Sequence, residues 1–171
     1  MEVPFFPLKP SGPSWFTVSE PHSIFRRMIS FDTNILVHAS NLDSLENASA
    51  RDFIESLAER EDVVVCELML VETYLKLRNA RIMRNPYSAE EAGAFCQALR
   101  SNPNWILVEN APVMGEVWAM ASGRDFAIRR IIDARLALTL RHFGVNEFAT
   151  ANGKDFEGFG FTRVWNPLQN V

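Results

Sequence analysis

The chain has 171 residues, a length that fits one domain with a full hydrophobic core. Its 47% hydrophobic and 22% charged content is that of a globular protein, and no apolar run approaches the roughly 20 residues needed to span a bilayer, so no membrane role is expected. Two cysteines, Cys66 and Cys96, give no disulfide framework; His22, His38 and His142 are too scattered for structural zinc; and a net charge of -4 counts against a passive nucleic-acid binder.

That charge does not count against a metal-dependent nuclease, whose ions supply positive charge locally. With so little cysteine, a reducing cytoplasmic location is the default.

Residues 1–27 differ from the rest and hold Pro4, Pro7, Pro10, Pro13 and Pro21. Proline resists both helix and central strand, so this segment reads as a Pro-rich extension, disordered or arising from a start upstream of Met28. The competing reading is an arm whose Phe5, Phe6, Trp15 and Phe16 dock on the domain or a partner. It lacks the charged start and apolar core of a secretory signal. Residues 28–171 read as the folded domain.

From Met28 onward, short apolar strands alternate with longer helical patterns, which predicts an α/β fold with a mainly parallel sheet covered by helices. Strands are expected near 28–31, 63–66, 105–108, 147–149 and 161–164. Val63-Val64-Val65-Cys66 and Trp105-Ile106-Leu107-Val108 are continuous apolar runs, as in strands buried on both faces. Between them, Ala50, Phe53, Ile54 and Leu57 mark a helix over 47–60, and Leu68, Val71, Leu75 and Leu77 one over 68–78. Ser88-Ala89-Glu90-Glu91 fits a capping box opening 89–100, and Asn102-Pro103 ends that helix. Pro112 suits the first position of a helix near 112–121, and the pattern over 125–143 is stopped by Gly144.

Ile29-Ser30-Phe31-Asp32-Thr33-Asn34-Ile35-Leu36 places a carboxylate where a strand stops and a helix begins. In an open α/β sheet, that carboxyl end is where ligands bind. Asp32 is equally suited to capping the helix. A nucleophilic aspartate of the haloacid dehalogenase kind wants a second aspartate two positions on, and Asn34 stands there instead. Glu72 has a plain alternative as the partner of Lys76 one turn on. Glu67, at the preceding junction, is a rival carboxylate with a helix-dipole role. Asp133 lies in an apolar helical stretch, where an unpaired charge is unusual, although Arg129 or Arg130 could neutralise it. Thr150-Ala151-Asn152-Gly153-Lys154-Asp155 is a polar turn after a strand. Arg124, Arg129, Arg130, Arg135 and Arg141 form a basic stretch able to grip phosphate. No dinucleotide, phosphate-loop or serine-elbow motif occurs.

In order, Phe31-Asp32-Thr33-Asn34, Leu70-Val71-Glu72-Thr73, Asp133-Ala134-Arg135-Leu136-Ala137 and Thr150-Ala151-Asn152-Gly153-Lys154-Asp155-Phe156 resemble the PIN-domain nucleases, and specifically the VapC-type toxins of bacterial toxin–antitoxin pairs. The similarity covers about 28–168. The ending Val164-Trp165-Asn166-Pro167-Leu168 resembles one subgroup of these toxins.

The resemblance implies a three-layer α/β/α sandwich with about five strands and an endoribonuclease that uses Mg²⁺, or Mn²⁺ in its place. It also implies an RNA substrate, a cognate antitoxin and a homodimer. Asp32, Glu72 and Asp133 match the family's acidic, metal-holding cluster. Its fourth place is Asn152 here, with Asp155 as the nearby carboxylate that could fill it. An inactive PIN-like RNA- or protein-binding module is the alternative. The metal reading requires the carboxylates of Asp32, Glu72 and Asp133 to converge on one ion.

Overall fold

Residues 27–169 are described by the computed structural model. The expectation for residues 1–27 lies outside them, apart from Arg27. Five strands form where apolar runs were expected: β1 (Met28–Phe31), β2 (Val64–Cys66), β3 (Ile106–Val108), β4 (Val145–Ala149) and β5 (Arg163–Trp165). Every pairing is parallel, with β4 between β1 and β5, and β2 beside β3. A parallel bridge between Ile29 and Val63, with the Ile29 N–H donating to the Asp62 carbonyl at 2.9 Å, joins the two groups. The strand order is therefore β3-β2-β1-β4-β5.

Parallel neighbours need crossovers, and these carry the helices. α1 (Thr33–Ser40), α2 (Asn47–Leu57), α3 (Glu67–Leu77) and α4 (Ala89–Arg100) pack on one another, while α5 (Met114–Ala121) packs on α6 (Arg130–His142). Right-handed crossovers toward β3 put the first group on one face of the sheet. The return from β3 to β4 puts α5 and α6 on the other. This is the three-layer α/β/α arrangement expected from the sequence. The chain reverses direction of travel across the sheet between β1 and β4, and the carboxyl ends of those strands flank that switch point.

The core fills with Phe31, Ile35, Leu36, Val64, Met69, Leu136, Leu140 and Phe148, all essentially inaccessible. Among the described residues, no helix is long and apolar enough to cross a membrane. The capping box forms as the sequence predicts: Ser88 Oγ accepts from the Glu91 N–H at 3.2 Å, and Glu91 Oε2 accepts from the Ser88 N–H at 2.8 Å. Gly144 ends its helix at φ 84°, a conformation only glycine takes without strain.

Four details differ. β3 lies at the sheet edge, so Ile106 is exposed where burial on both faces was expected. In α3 the core face is Met69, Leu70, Thr73 and Leu77, whereas Val71 and Leu75 are exposed. This helix is apolar on two stripes, so periodicity could not choose between them. α5 begins at Met114, two residues after Pro112, because the Val113 N–H first closes a tight turn onto the Ala111 carbonyl. α6 begins at Arg130, since turns from Gly123 to Phe126 and from Ala127 to Arg130 precede it.

Candidate active site

The parallel ladder continues one residue past the strand ends. The Asp32 N–H donates to the Ala149 carbonyl at 2.8 Å, and the Thr150 N–H donates to the Trp165 carbonyl at 2.8 Å. Asp32 is thus pinned at the end of β1, at the start of α1, directly beside Thr150 at the end of β4. Thr150 Oγ1 donates to Asp32 Oδ2 at 2.8 Å, and Asn34 Nδ2 donates to the same oxygen at 2.6 Å. The Asn34 amide also reaches Thr150 Oγ1 at 3.2 Å and accepts from the Ala151 N–H at 3.3 Å. Two segments far apart in sequence are tied together around one carboxylate.

Asp32 is 7% exposed. Burial pushes its carboxyl above the ordinary range; the Thr150 hydrogen bond and the charge of Lys76 oppose that rise, and Glu72 adds to it. Its side chain does not cap α1, so the plain capping role weighed for it is not what holds it here. Glu72, from α3, reaches the same corner: Thr33 Oγ1 donates to its Oε2 at 3.3 Å, and Lys76 Nζ stands 3.7 Å from its Oε1.

Asp133 projects from the first turn of α6. Its carboxyl is pushed up to about 6, first by burial and then by the negative charges of Asp32, Glu72 and Asp155. Four carboxylates, from the end of β1, from α3, from α6 and from the 3₁₀ turn Gly153–Phe156, therefore act on one another at one corner. Among the described residues neither Arg129 nor Arg130 pairs with Asp133. Arg130 instead donates to the Glu157 carbonyl at 3.3 Å and lies over the Phe159 ring.

No family model matches the chain. It is 52% identical over 141 residues to Ribonuclease VapC24 of Mycobacterium tuberculosis, in both strain CDC 1551 / Oshkosh and strain ATCC 25618 / H37Rv. The match covers 82% of this chain and 97% of that protein. The chain belongs to the VapC ribonuclease family. Solved structures share the fold: VapC20 of Mycobacterium tuberculosis, described as a sarcin-ricin loop cleaving toxin, has a TM-score of 0.61 at 21% identity, covering 78% of this chain and 96% of that one. FitAcB of Neisseria gonorrhoeae has a TM-score of 0.56 at 20% identity, covering 84% of this chain and 100% of that one.

For a VapC ribonuclease, the donor set at this corner is all oxygen, the chemistry of a hard divalent cation. The crowding felt at Asp133 is what such a cation relieves. In both respects the residues fit Mg²⁺ or Mn²⁺. The side chains are not, however, arranged as three ligands around one ion among the described residues. Glu72 leans toward Lys76 and Thr33, and Asp32 Oδ2 toward Thr150 and Asn34. Convergence is thus electrostatic rather than ligand-like, a looser arrangement than the sequence reading required.

Asn152 and Asp155 separate in role. The Asn152 N–H donates to Thr150 Oγ1 at 3.0 Å, while the residue itself is exposed. Asp155 acts on Asp133 through its charge. The rival Glu67 is engaged elsewhere, with Arg100 Nε 2.7 Å from its Oε1. The basic stretch divides as well. Arg141 donates to the Val145 carbonyl and lies over Phe161, Arg135 partly opposes the burial that pushes the Cys66 thiol up, and Arg124 and Arg129 are exposed. Sequence reasoning missed Asn34 as the bridge between Asp32 and Thr150, and Thr33 as a donor to Glu72. The signal was a pair of short polar residues directly after a strand-terminal aspartate.

Proposed function

We propose that this member of the VapC ribonuclease family is the toxin of a toxin–antitoxin pair, a metal-dependent endoribonuclease whose site is Asp32, Glu72, Asp133 and Asp155. One observation carries the reading: Asp32, buried at the carboxyl end of β1 and held by Thr150 and Asn34, shares a corner with Glu72, which Thr33 holds, and with Asp133 and Asp155, whose charges act there. Asp32, Glu72 and Asp133 would hold Mg²⁺ or Mn²⁺. When bound, the cation supplies an activated water and offsets charge developing on the scissile phosphate.

The chain's own residues do the rest. Thr150 and Asn34 keep Asp32 in one orientation at the end of β1. Lys76, with its Nζ 3.7 Å from Glu72 Oε1, holds Glu72 at the corner. Asp155 deepens the negative potential at Asp133, and Asn152 ties its loop back to Thr150. Arg124 and Arg129 stand exposed to meet the RNA backbone.

The test is cleavage of RNA by purified protein with Mg²⁺, with EDTA and with Asp32→Asn. Cleavage that survives EDTA, or is undiminished in Asp32→Asn, sinks the metal assignment. The proposed function carries with it a cognate antitoxin, a homodimer and a cytoplasmic location. Light scattering of the purified chain, with and without the antitoxin, tests the assembly.

A second reading is an inactive PIN-like RNA- or protein-binding module. The engagement of Glu72 by Lys76 and the uncharged Asn152 favour it. Calorimetry decides between the two: folded protein that takes up neither Mg²⁺ nor Mn²⁺ supports the module.

A further inference from the structure

The carboxyl edge of the sheet carries more than the acidic corner. Phe31, Ala149 and Trp165 are in register across β1, β4 and β5. The residues that follow them, Asp32, Thr150 and Asn166, therefore stand in a row along one edge. Strands lie about 4.8 Å apart, so Asn166 stands roughly 10 Å from Asp32, about the reach of one neighbouring nucleotide.

At that end of the row the surface opens into a cleft of about 600 Å³, lined among others by Asn152, Lys154, Asp155, Trp165, Asn166 and Gln169. Asp155 belongs to both places, so cleft and acidic site share a wall. The Trp165 indole is fixed by the Arg163 guanidinium 4.3 Å from its centroid and by Phe53 edge-on at 6.4 Å. Asn166 is fixed too, because its Oδ1 accepts from the Leu168 N–H at 2.9 Å.

The lining chemistry selects the occupant. Among the lining residues Lys154 stands beside Asp155 and Glu157, so the cleft carries one cation that can meet a sugar-phosphate and no net positive charge that would make phosphate its main occupant. Two asparagines, a glutamine and an indole are instead what a nucleobase wants: amides offer paired donors and acceptors to a base edge, and an aromatic ring offers stacking.

We infer that this cleft is a base-recognition site for the nucleotide next to the scissile phosphate of a single-stranded RNA, with Asn166 and Trp165 reading the base and Lys154 steadying its sugar-phosphate. The inference rests on the ribonuclease reading and adds the origin of base preference at one position. Single-stranded bases are the part of RNA most open to such reading.

The test uses the full chain and an RNA oligonucleotide pool randomised around a central position. Products are sequenced for wild type, Lys154→Ala and Asn166→Asp; the latter keeps an acceptor for Leu168 but loses the amide donor. A second measurement crosslinks 4-thiouridine RNA to the Asp32→Asn variant and maps the attachment. We expect wild type to prefer one base beside the cut, Asn166→Asp to weaken that preference about tenfold, and Lys154→Ala to raise KM several-fold with kcat held. Crosslinks should fall on the segment carrying Trp165. Unchanged base preference and KM in both variants, or crosslinks elsewhere, would overturn the site while leaving the nuclease standing. Crosslinking at Trp165 without cleavage by wild type would do the reverse: the base site stands and the nuclease reading falls. Neither cleavage nor crosslinking would remove both.

Discussion

Thr150 donates its hydroxyl to Asp32 Oδ2 at 2.8 Å across 118 residues of sequence. The bond joins the carboxyl ends of β1 and β4, the two strands that flank the switch point of the sheet. It holds a buried carboxylate in place where burial alone would favour its protonation.

Asp32→Asn keeps an oxygen for Thr150 and loses the charge. RNA cleavage should fall at least about 100-fold, while the circular dichroism spectrum stays that of the wild type. Glu67→Gln is the matching control. It removes only an exposed pair with Arg100, so cleavage should stay within about twofold and stability within about 1 kcal/mol.

Thr150→Val keeps the shape and deletes three hydrogen bonds: one given to Asp32 and two accepted, from Asn34 and from the Asn152 N–H. Chemical denaturation should show a loss of about 1–3 kcal/mol, because buried partners are left unsatisfied. A variant as stable as wild type would mean that the network contributes little.

The raised Asp133 carboxyl sets a pH dependence. Its folded value of about 6 lies above the ordinary 3.8, so its contribution to stability is fully present below about 3.8 and lost as pH rises through about 6. Without divalent metal, Asp133→Asn should therefore stabilise the protein near neutrality by about 1 kcal/mol, a figure discounted because the side chain is only half-buried. In wild type, Mg²⁺ at roughly 100 times its Kd should add about 2.7 kcal/mol near neutrality, and less as pH falls through the titration of Asp133. Thermal melts across pH, with and without Mg²⁺, check both signs.

Asp155 and Asn152 differ in a measurable way. The Asp155 charge is one of the causes that raise Asp133. Asp155→Asn should shift the acid limb of the metal-free stability profile to lower pH and weaken cleavage. Asn152→Ala should leave that limb unmoved. Equal shifts in the two variants would return the fourth corner to Asn152.

Much of the fold was legible because short apolar runs and helical periods report burial directly. The run Val63 to Cys66 is buried throughout, and Ser88 with Glu91 closed its capping box. Periodicity failed where two faces were comparably apolar, as with Val71 and Leu75 against Met69 and Leu70. It failed again at Ile106, since a run of side chains does not say whether a strand lies inside the sheet or at its edge.

The sequence by itself determined the residue types and their order: a carboxylate after the first strand, two more on later helices, and a polar turn after the fourth. Each alone also suited a cap, a surface pair or a turn. Only the tertiary structure decided that Asp32, Glu72, Asp133 and Asp155 share one field and that Glu67 does not. Charge interactions depend on distance and burial in space, and both are set by strand order and register. The same register placed Thr150 against Asp32, a bond that no local pattern could announce.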